Sequence, residues 1–387
     1  MSAHVTINEK GAQRVLRRHP WVFRSDVVQA ASGLKPGDIV SVQNKKGKFL
    51  GQAFYNAHSL ITLRFISHSD EKVDASFWAK RFSDSIARRQ HLPWPPEQGR
   101  RLIYGESDFL PGCIVDQYRD VFVFQTLCAG IDRTRELLID HLKSLGAKSI
   151  VERNDVSVRE LEGLVKQKGV VFGESKTVEV IEGQNRFVVD PLEGQKTGFF
   201  LDQSDNHIVS SQYAFGKTLD VFSYQGGFAL ALSPKVDSVK AIDASAPALN
   251  ILKENASRNA RSNIECIEAN AFDYLREISD RGEKYDTIVL DPPPFMKSKK
   301  NRDSGLAGYK EINLRAMKTL NRGGILITAS CSQNFTPDLF AMTLQEAAHD
   351  AKRDIQIIEV RGAAPDHPVL MNFPESHYLQ CWILRIV

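Results

Sequence analysis

Residues Lys217 to Asp243 read KTLDVFSYQGGFALALSPKVDSVKAID. The apolar run with Leu219, Val221 and Phe222 suits a strand buried in a parallel sheet. The glycine pair Gly226 and Gly227 follows, then an apolar segment able to enter a helix. A second run, Val239 to Ile242, ends in Asp243. Strand, glycine turn, helix, strand and closing acid form the first half of a doubly wound nucleotide-binding sheet. Glycine lets backbone approach a ligand closely, and an acid ending the second strand can accept both ribose hydroxyls. The dinucleotide fingerprint GxGxxG is absent, and no helix-start glycine follows Gly227. A ligand without a pyrophosphate fits better, and S-adenosylmethionine is the commonest such ligand for this strand pattern. The competing reading is an ordinary turn in an α/β sheet.

The pattern continues in both directions. Arg186 to Asp190 reads as a strand, and KTGFFLDQSDNH, Lys196 to His207, prepares the helix ahead of Leu219. After Asp243 come a helix over about Ala246 to Asn259 and a strand Ile264 to Ile267 that ends at Asn270-Ala271. Ile288 to Leu290 ends at Asp291, a helix spans Glu311 to about Leu320, and Gly324 to Thr328 ends at Ser330-Cys331-Ser332. Ligands of open α/β sheets lie beyond the carboxyl ends of the strands. Asp243, Asn270, Asp291 and Cys331 all fall there, Asp243 suited to a ribose and Asn270 with the Ala271 amide to an adenine edge.

At 387 residues the chain has room for two or three domains. Apolar content of 42% and charged content of 25% are those of an ordinary soluble protein. No apolar run reaches membrane-spanning length and the N-terminus lacks a signal-peptide core, so a cytoplasmic protein without a membrane partner is expected. A net charge of +3 requires any nucleic-acid site to be a local patch. The five cysteines are scattered and never form CxxC, which argues against disulfides, zinc or an iron–sulfur cluster. No metal is expected.

Residues 1 to about 70 read as a β-rich module: Ile39 to Val42, a turn at Asn44 to Gly47, a return at Phe49 to Phe54, and a further strand at Leu60 to Ile66. Ahead of them stand Arg14, Arg17, Arg18, His19, Trp21 and Arg24. Guanidinium groups beside a ring that can stack suit RNA, and a solvated basic face with Trp21 in the core suits the residues equally. A helix from Ser76 to about His91 follows, then the proline-rich LPWPPEQG. A hairpin at Ile114 to Gln125, a helix from Asp132 to Leu145, and strands at Ser149 to Glu152 and Thr177 to Ile181 describe a separate α+β domain with no catalytic constellation.

Asp291-Pro292-Pro293-Pro294-Phe295 makes a stiff loop, because prolines fix the backbone. It presents an acid and an aromatic face, which a flipped base needs for its amino edge and for stacking. A proline-rich strand cap is the plainer reading. Cys331 lies in TASCSQNF; a lone cysteine is usually core, but one facing the same crevice as Asp291 is a candidate nucleophile. A thiolate added to carbon 6 of a pyrimidine makes carbon 5 nucleophilic toward a sulfonium methyl.

With RRHPWVF (17–23), GESD (105–108), LPG (110–112), KTGFFLDQ, FSYQGGF, DPPPF, SCS and the tail DHPVLMNFPESHYLQ, the chain resembles the PUA-domain-containing ribosomal RNA cytosine-5 methyltransferases over nearly its whole length. The resemblance implies an α/β protein with a class I methyltransferase Rossmann-like, mainly parallel sheet, preceded by a β-rich PUA domain and a central α+β domain. The expected boundaries are 1–71, 72–185 and 186–387. It implies S-adenosylmethionine as cofactor and large-subunit ribosomal RNA as partner, with a homodimer among the allowed states. Cys331 matches the nucleophile, Asp291 the base-edge acceptor and Asp243 the ribose ligand. The expected cofactor set is Phe222, Ser223, Tyr224, Gly226, Gly227, Asp243, Asn270, Ala271 and Asp291; the expected RNA set is Arg14, Arg17, Arg18, Trp21 and Phe295. Two positions depart from the family. Ser204-Asp205-Asn206-His207 replaces a run often carrying arginines, which removes or relocates a phosphate contact, and Asn270 stands where aspartate is frequent.

Two rivals remain from the sequence. An amino-group or guanine methyltransferase would use a similar DPPF-like loop without a nucleophilic thiol, so Cys331 separates it. A non-catalytic RNA-binding assembly factor would need no crevice lined by Asp243, Asp291 and Cys331.

Overall fold

Alternating apolar residues on either side of a glycine turn pair as expected: Asp38–Asn44 runs antiparallel to Phe49–Tyr55, and Gly47 takes the left-handed φ of 77° the turn requires. Ile61–Ser67, Trp21–Phe23, His4–Ile7 and Val27–Ala30 complete a six-stranded sheet. Val5, Ile7, Val22, Val40, Val42, Leu63 and Phe65 close its core. A helix at Glu9–Leu16, not foreseen from sequence, is capped by Asn8, whose side chain accepts the Gly11 N–H. Its buried face is only Gly11, Ala12 and Val15, too small an apolar stripe to show a period.

A five-stranded sheet follows, in the order Gln167–Phe172, Ser149–Asn154, Val121–Thr126, Cys113–Tyr118, Arg100–Tyr104. The expected hairpin turns at Arg119, at a φ of 59°. Helix Ala75–Arg89 starts where Asp74 accepts the Ser76 and Phe77 amides. The helix expected at Asp132 to Leu145 is instead two, Ala129–Asp132 and Arg135–Ser144. Between them the Thr134 hydroxyl bonds back to the Ile131 carbonyl at 2.8 Å, a local bond that competes with the helical ladder.

The chain, here a computed structural model, is described over residues 3–296 and 301–387 and divides into two compact units. The first holds both sheets above, within Met1–Val180, together with Val188–Leu201 and Pro365–Ser376. The second is Ile181–Phe187, Asp202–Ala364 and His377–Val387.

The second unit is built on seven strands: β1 (Lys217–Val221), β2 (Ser238–Asp243), β3 (Ile264–Glu268), β4 (Tyr285–Leu290), β5 (Leu320–Ser330), β6 (Ile355–Arg361) and β7 (Gln380–Ile386). Their order across the sheet is β3-β2-β1-β4-β5-β7-β6. The first five are parallel, and β7 is antiparallel to both its neighbours. Six helices among the described residues join them: α1 (Ser204–Ser210), α2 (Gly227–Leu232), α3 (Ala246–Arg258), α4 (Ala271–Asp280), α5 (Arg302–Thr319) and α6 (Pro337–Ala351). The central strands are buried on both faces: Leu219, Ile288 and Leu326 belong to one cluster, Val289, Ile325 and Ile327 to another. This is the class I methyltransferase sheet, and its chain order reverses at β1. The sequence reading stopped at β5. Strands β6 and β7 and helices α4 and α6 were not anticipated, although QCWILRI and PDLFAMTLQEAAHDA carry the strand and helix patterns.

Candidate active site

The turn after β1 is wound tightly. Phe222 and Tyr224 have φ of 67° and 47°, and Gly226 has 89°. The left-handed region costs bulky residues about 1–3 kcal/mol each, and such strain collects at ligand sites. It is held in place by bonds to β2. The Phe222 and Ser223 amides donate to the Ile242 carbonyl at 2.9 and 3.0 Å, and the Tyr224 amide donates to Asp243 Oδ2 at 2.9 Å. Asp243 Oδ1 accepts from Ser245 N at 2.8 Å. Each carboxylate oxygen keeps a further lone pair for a hydroxyl. Ser223 Oγ and Gln225 Oε1 are buried beside the turn without a hydrogen-bond partner in the protein. Unsatisfied acceptors and a strand-end acid fit a ribose and an amino-acid tail.

The two glycines serve different needs. Gly226 supplies the left-handed N-cap of α2. Gly227 has ordinary φ, and a Cβ there would lie 2.3 Å from the His207 ring, so its side is filled by protein. The close approach inferred from sequence is therefore to His207.

Asn270 caps α4, its Oδ1 accepting from Phe272 N at 2.9 Å and Asp273 N at 3.3 Å. Aspartate caps equally well, which explains how the departure at this position leaves the fold intact. Ala271 is buried at the first turn. The Ala269 amide donates to the Asp243 carbonyl at 3.0 Å, tying this corner to β2.

Beyond β4 and β5 lie Asp291, Phe295 and Cys331. Cys331 Sγ is 3.8 Å from the Pro292 carbonyl oxygen. Phe295 packs on Tyr309 at 4.8 Å, Phe272 at 5.5 Å and Phe222 at 6.3 Å between ring centroids. The loop is braced from below: Tyr309 Oη lies 2.9 Å from both Ser330 Oγ and Ser332 Oγ, and Met296 N donates to Ser332 Oγ at 3.2 Å. Burial raises the Tyr309 pKa, so this hydroxyl stays a neutral strut. The site thus gathers Phe222, Ser223, Tyr224, Gly226, Asp243, Asn270, Asp291, Phe295 and Cys331 at one end of the sheet. The other cysteines differ in setting. Cys113, Cys128 and Cys381 are buried, and burial pushes Cys128 up to about 12 and raises Cys113 and Cys381 as well. Cys266 is half-buried on β3, also with its pKa raised by burial.

Sequence reasoning missed a buried charge cluster under the turn. His207 Nδ1 lies 2.7 Å from Glu182 Oε1, and the ring stands edge-on to Phe228 at 4.5 Å. Burial opposes its charge, but Glu182, by charge and hydrogen bond, with the Asp291 and Asp220 carboxylates, holds the imidazole above its ordinary range. Asp220, inside β1, is pushed up to about 7 by burial and by Asp291, against the pull of His207. Gln203 is the other omission: its Nε2 donates to Asp291 Oδ1 at 2.9 Å. LDQSDNH was visible as a motif, but Asn206 and His207 look like surface residues until the fold buries them.

In the first unit Arg14 and Arg17 line an open cleft of about 530 Å³ with Lys10, His19, Met371, Asn372 and Pro374. Arg14 is already paired with buried Asp26. Arg17 and Arg18 are exposed, and Arg18 acts electrostatically on His68 rather than lining the cleft. Trp21 Nε1 donates to Glu106 Oε1 at 2.6 Å, and the ring lies edge-on to Phe373 at 4.6 Å and under the Arg64 guanidinium. Arg64 in turn bonds Glu106 at 2.7 Å and Glu162 at 3.0 Å. Trp21 is half-buried in this network.

No group of His, Cys, Asp or Glu among the described residues could hold a metal ion, and no described helix is long and apolar enough to cross a membrane. Residues 5–68 match the model of a PUA-like domain, and residues 169–373 match that of S-adenosylmethionine-dependent methyltransferases. Ribosomal RNA large subunit methyltransferase I of Shewanella denitrificans is 40% identical over 390 residues, covering 97% of this chain and 98% of its own. The protein of that name from Aeromonas hydrophila is 38% identical over 400 residues and covers 100% of both chains. A Streptococcus mutans structure, provisionally described as an S-adenosylmethionine-dependent methyltransferase, superposes with a TM-score of 0.84 at 18% identity over 99% of each chain. That likeness shows the fold.

Proposed function

Since this chain belongs to the S-adenosylmethionine-dependent methyltransferases, in the family of the ribosomal RNA large subunit methyltransferase I proteins, we propose that it forms 5-methylcytosine in large-subunit ribosomal RNA through a covalent bond to Cys331. Its cofactor is S-adenosylmethionine, which when bound supplies an electrophilic methyl group. Asp243 and the 222–226 turn are the residues that would hold it. In this reading residues 1–71 are the RNA-binding domain, 72–185 a central α+β domain and 186–387 the methyltransferase domain.

The observation that supports the cytosine reading is the pairing of Cys331 with the DPPPF loop, sulfur 3.8 Å from Pro292 O, while three of the other four cysteines are buried. The Cys331 thiolate adds to carbon 6 of the base, forming the carbon–sulfur bond. The displaced π pair becomes available at carbon 5 and would take the methyl group as its bond to the sulfonium sulfur breaks, leaving a neutral thioether. A base then removes the carbon-5 proton, and the returning pair expels the sulfur. Asp291 accepts from the exocyclic amino group during attack, and Phe295 offers a ring to the flipped base. Digestion of RNA methylated with labelled cofactor should yield 5-methylcytosine; a methylated amino group or guanine instead would overturn the reading.

RNA is expected to engage Arg17 and Arg18, whose charges are exposed, more than Arg14, neutralised by Asp26. Replacing Arg17 and Arg18 together by alanine should flatten the plot of log affinity against log salt by about 0.7 per lost contact on a single strand. Arg14→Ala should change that slope less. An unaltered slope in the double variant would mark a merely solvated basic face.

A further inference from the structure

A chain of hydrogen bonds with a fixed direction runs from the sheet edge to Asp291. Arg361, the last residue of β6, donates from Nε to Asn206 Oδ1 at 3.0 Å. Asn206 Nδ2 donates to Gln203 Oε1 at 2.7 Å and to the Gly362 carbonyl at 3.0 Å. Gln203 Nε2 donates to Asp291 Oδ1 at 2.9 Å. Gln203 and Asn206 are buried, so neither amide can exchange its partners for water. A guanidinium has donors only. It compels Asn206 to present its oxygen, which turns the Asn206 NH2 toward Gln203, which turns the Gln203 NH2 toward Asp291.

We propose that Arg361 is a positioning residue for the methyl acceptor, acting through Asn206 and Gln203 to hold Asp291 as a hydrogen-bond acceptor toward the base. The proposal rests on the reading of Asp291 as the base-edge acceptor. Without Arg361 only the Gly362 carbonyl holds the Asn206 amide in this sense, and each turn of that amide lets Gln203 present Oε1 to Asp291. A carbonyl beside a carboxylate favours the protonated acid, which can no longer accept from an amino group. Other groups acting on Asp291 include His207 from α1, Asp220 from β1 and Cys381 from β7. Glu359, Tyr213 and Cys381 surround Arg361. None of these residues is substituted in the variants below.

The full-length protein is assayed on RNA from cells lacking it, with wild type, Arg361→Leu, Arg361→Lys, Asn206→Asp and the Leu/Asp double variant. Asn206→Asp can still accept from Arg361 but cannot donate to Gln203. Arg361→Leu and Asn206→Asp should each lower kcat by about 10–100-fold, the scale for a misplaced reacting group. The acid-side inflection of kcat should move up by about one pH unit, from loss of the hydrogen bond favouring the carboxylate. Arg361→Lys should fall between Arg361→Leu and wild type, and the double variant should be no worse than the poorer single one. Unchanged kcat, or a lower kcat with an unmoved inflection, overturns the relay. Additive losses in the double variant do the same. If the wild-type product is not 5-methylcytosine, the cytosine reading fails, and the inflection still decides whether Arg361 acts on Asp291.

Discussion

Cys331→Ala is expected to abolish methyl transfer, with a loss of at least ~1,000-fold, the order expected for removing an essential nucleophile. Carbon 5 of cytosine is a poor nucleophile until a group adds at carbon 6, so no other part of the site can compensate. Cys113, Cys128 and Cys381 are buried, with thiols held protonated by their surroundings. Cys266 is half-buried within β3 and not at its end. Affinity for S-adenosylmethionine should be nearly unchanged in the variant, because Asp243 and the strained turn are untouched. RNA carrying 5-fluorocytosine at the target should trap wild type as an adduct that survives denaturation, since fluorine blocks the elimination that frees the sulfur. A Cys331→Ala protein that methylates at the normal rate would sink the covalent mechanism and promote transfer to an amino group.

Asp243→Ala should weaken S-adenosylmethionine binding by roughly 1.5–3 kcal/mol, the scale for hydrogen bonds to a charged acceptor. That is about a 10- to 150-fold change in affinity. The structure adds a second source of loss. Asp243 also accepts the Tyr224 and Ser245 amides, so its removal releases a turn in which Phe222 and Tyr224 are held at positive φ. Asp243→Asn keeps one acceptor oxygen and should bind between the two. Calorimetry on wild type and both variants, with RNA affinity as the control, tests this. Equal cofactor affinity in all three would remove Asp243 from the site.

The sheet could be read in the sequence wherever a strand held a short apolar run closed by a polar residue. That covers Lys217–Val221, Ser238–Asp243 and Tyr285–Leu290, and it brought Asp243, Asp291 and Cys331 to one end of the sheet. What could not be read depends on burial of polar residues. Asn206 and His207 sit in a polar run, and nothing local says that one is wired to Arg361 and the other to Glu182. Gly227 illustrates the same limit: a glycine beside a candidate ligand site suggests room for the ligand, while the fold uses the room for an imidazole. Trp21 was balanced between core and RNA surface, and its half-buried state, with the indole N–H bound to Glu106, combines a structural anchor with a partly open ring.

The placement of β7 bears on how the protein is made. This strand comes last in chain order yet lies inside the sheet, between β5 and β6. Until residues 380–386 have emerged during synthesis, β6 has no neighbour and β5 exposes an unpaired edge next to Ser330 and Cys331. Such open edges invite mispairing with other chains. The parallel strands β1 to β5 can align earlier, but the end of β5 beside Cys331 gains its second neighbour only when Gln380 pairs with Ser330. A nascent chain can therefore complete its N-terminal six-stranded sheet well before the end of β5 beside Cys331 is paired on both sides.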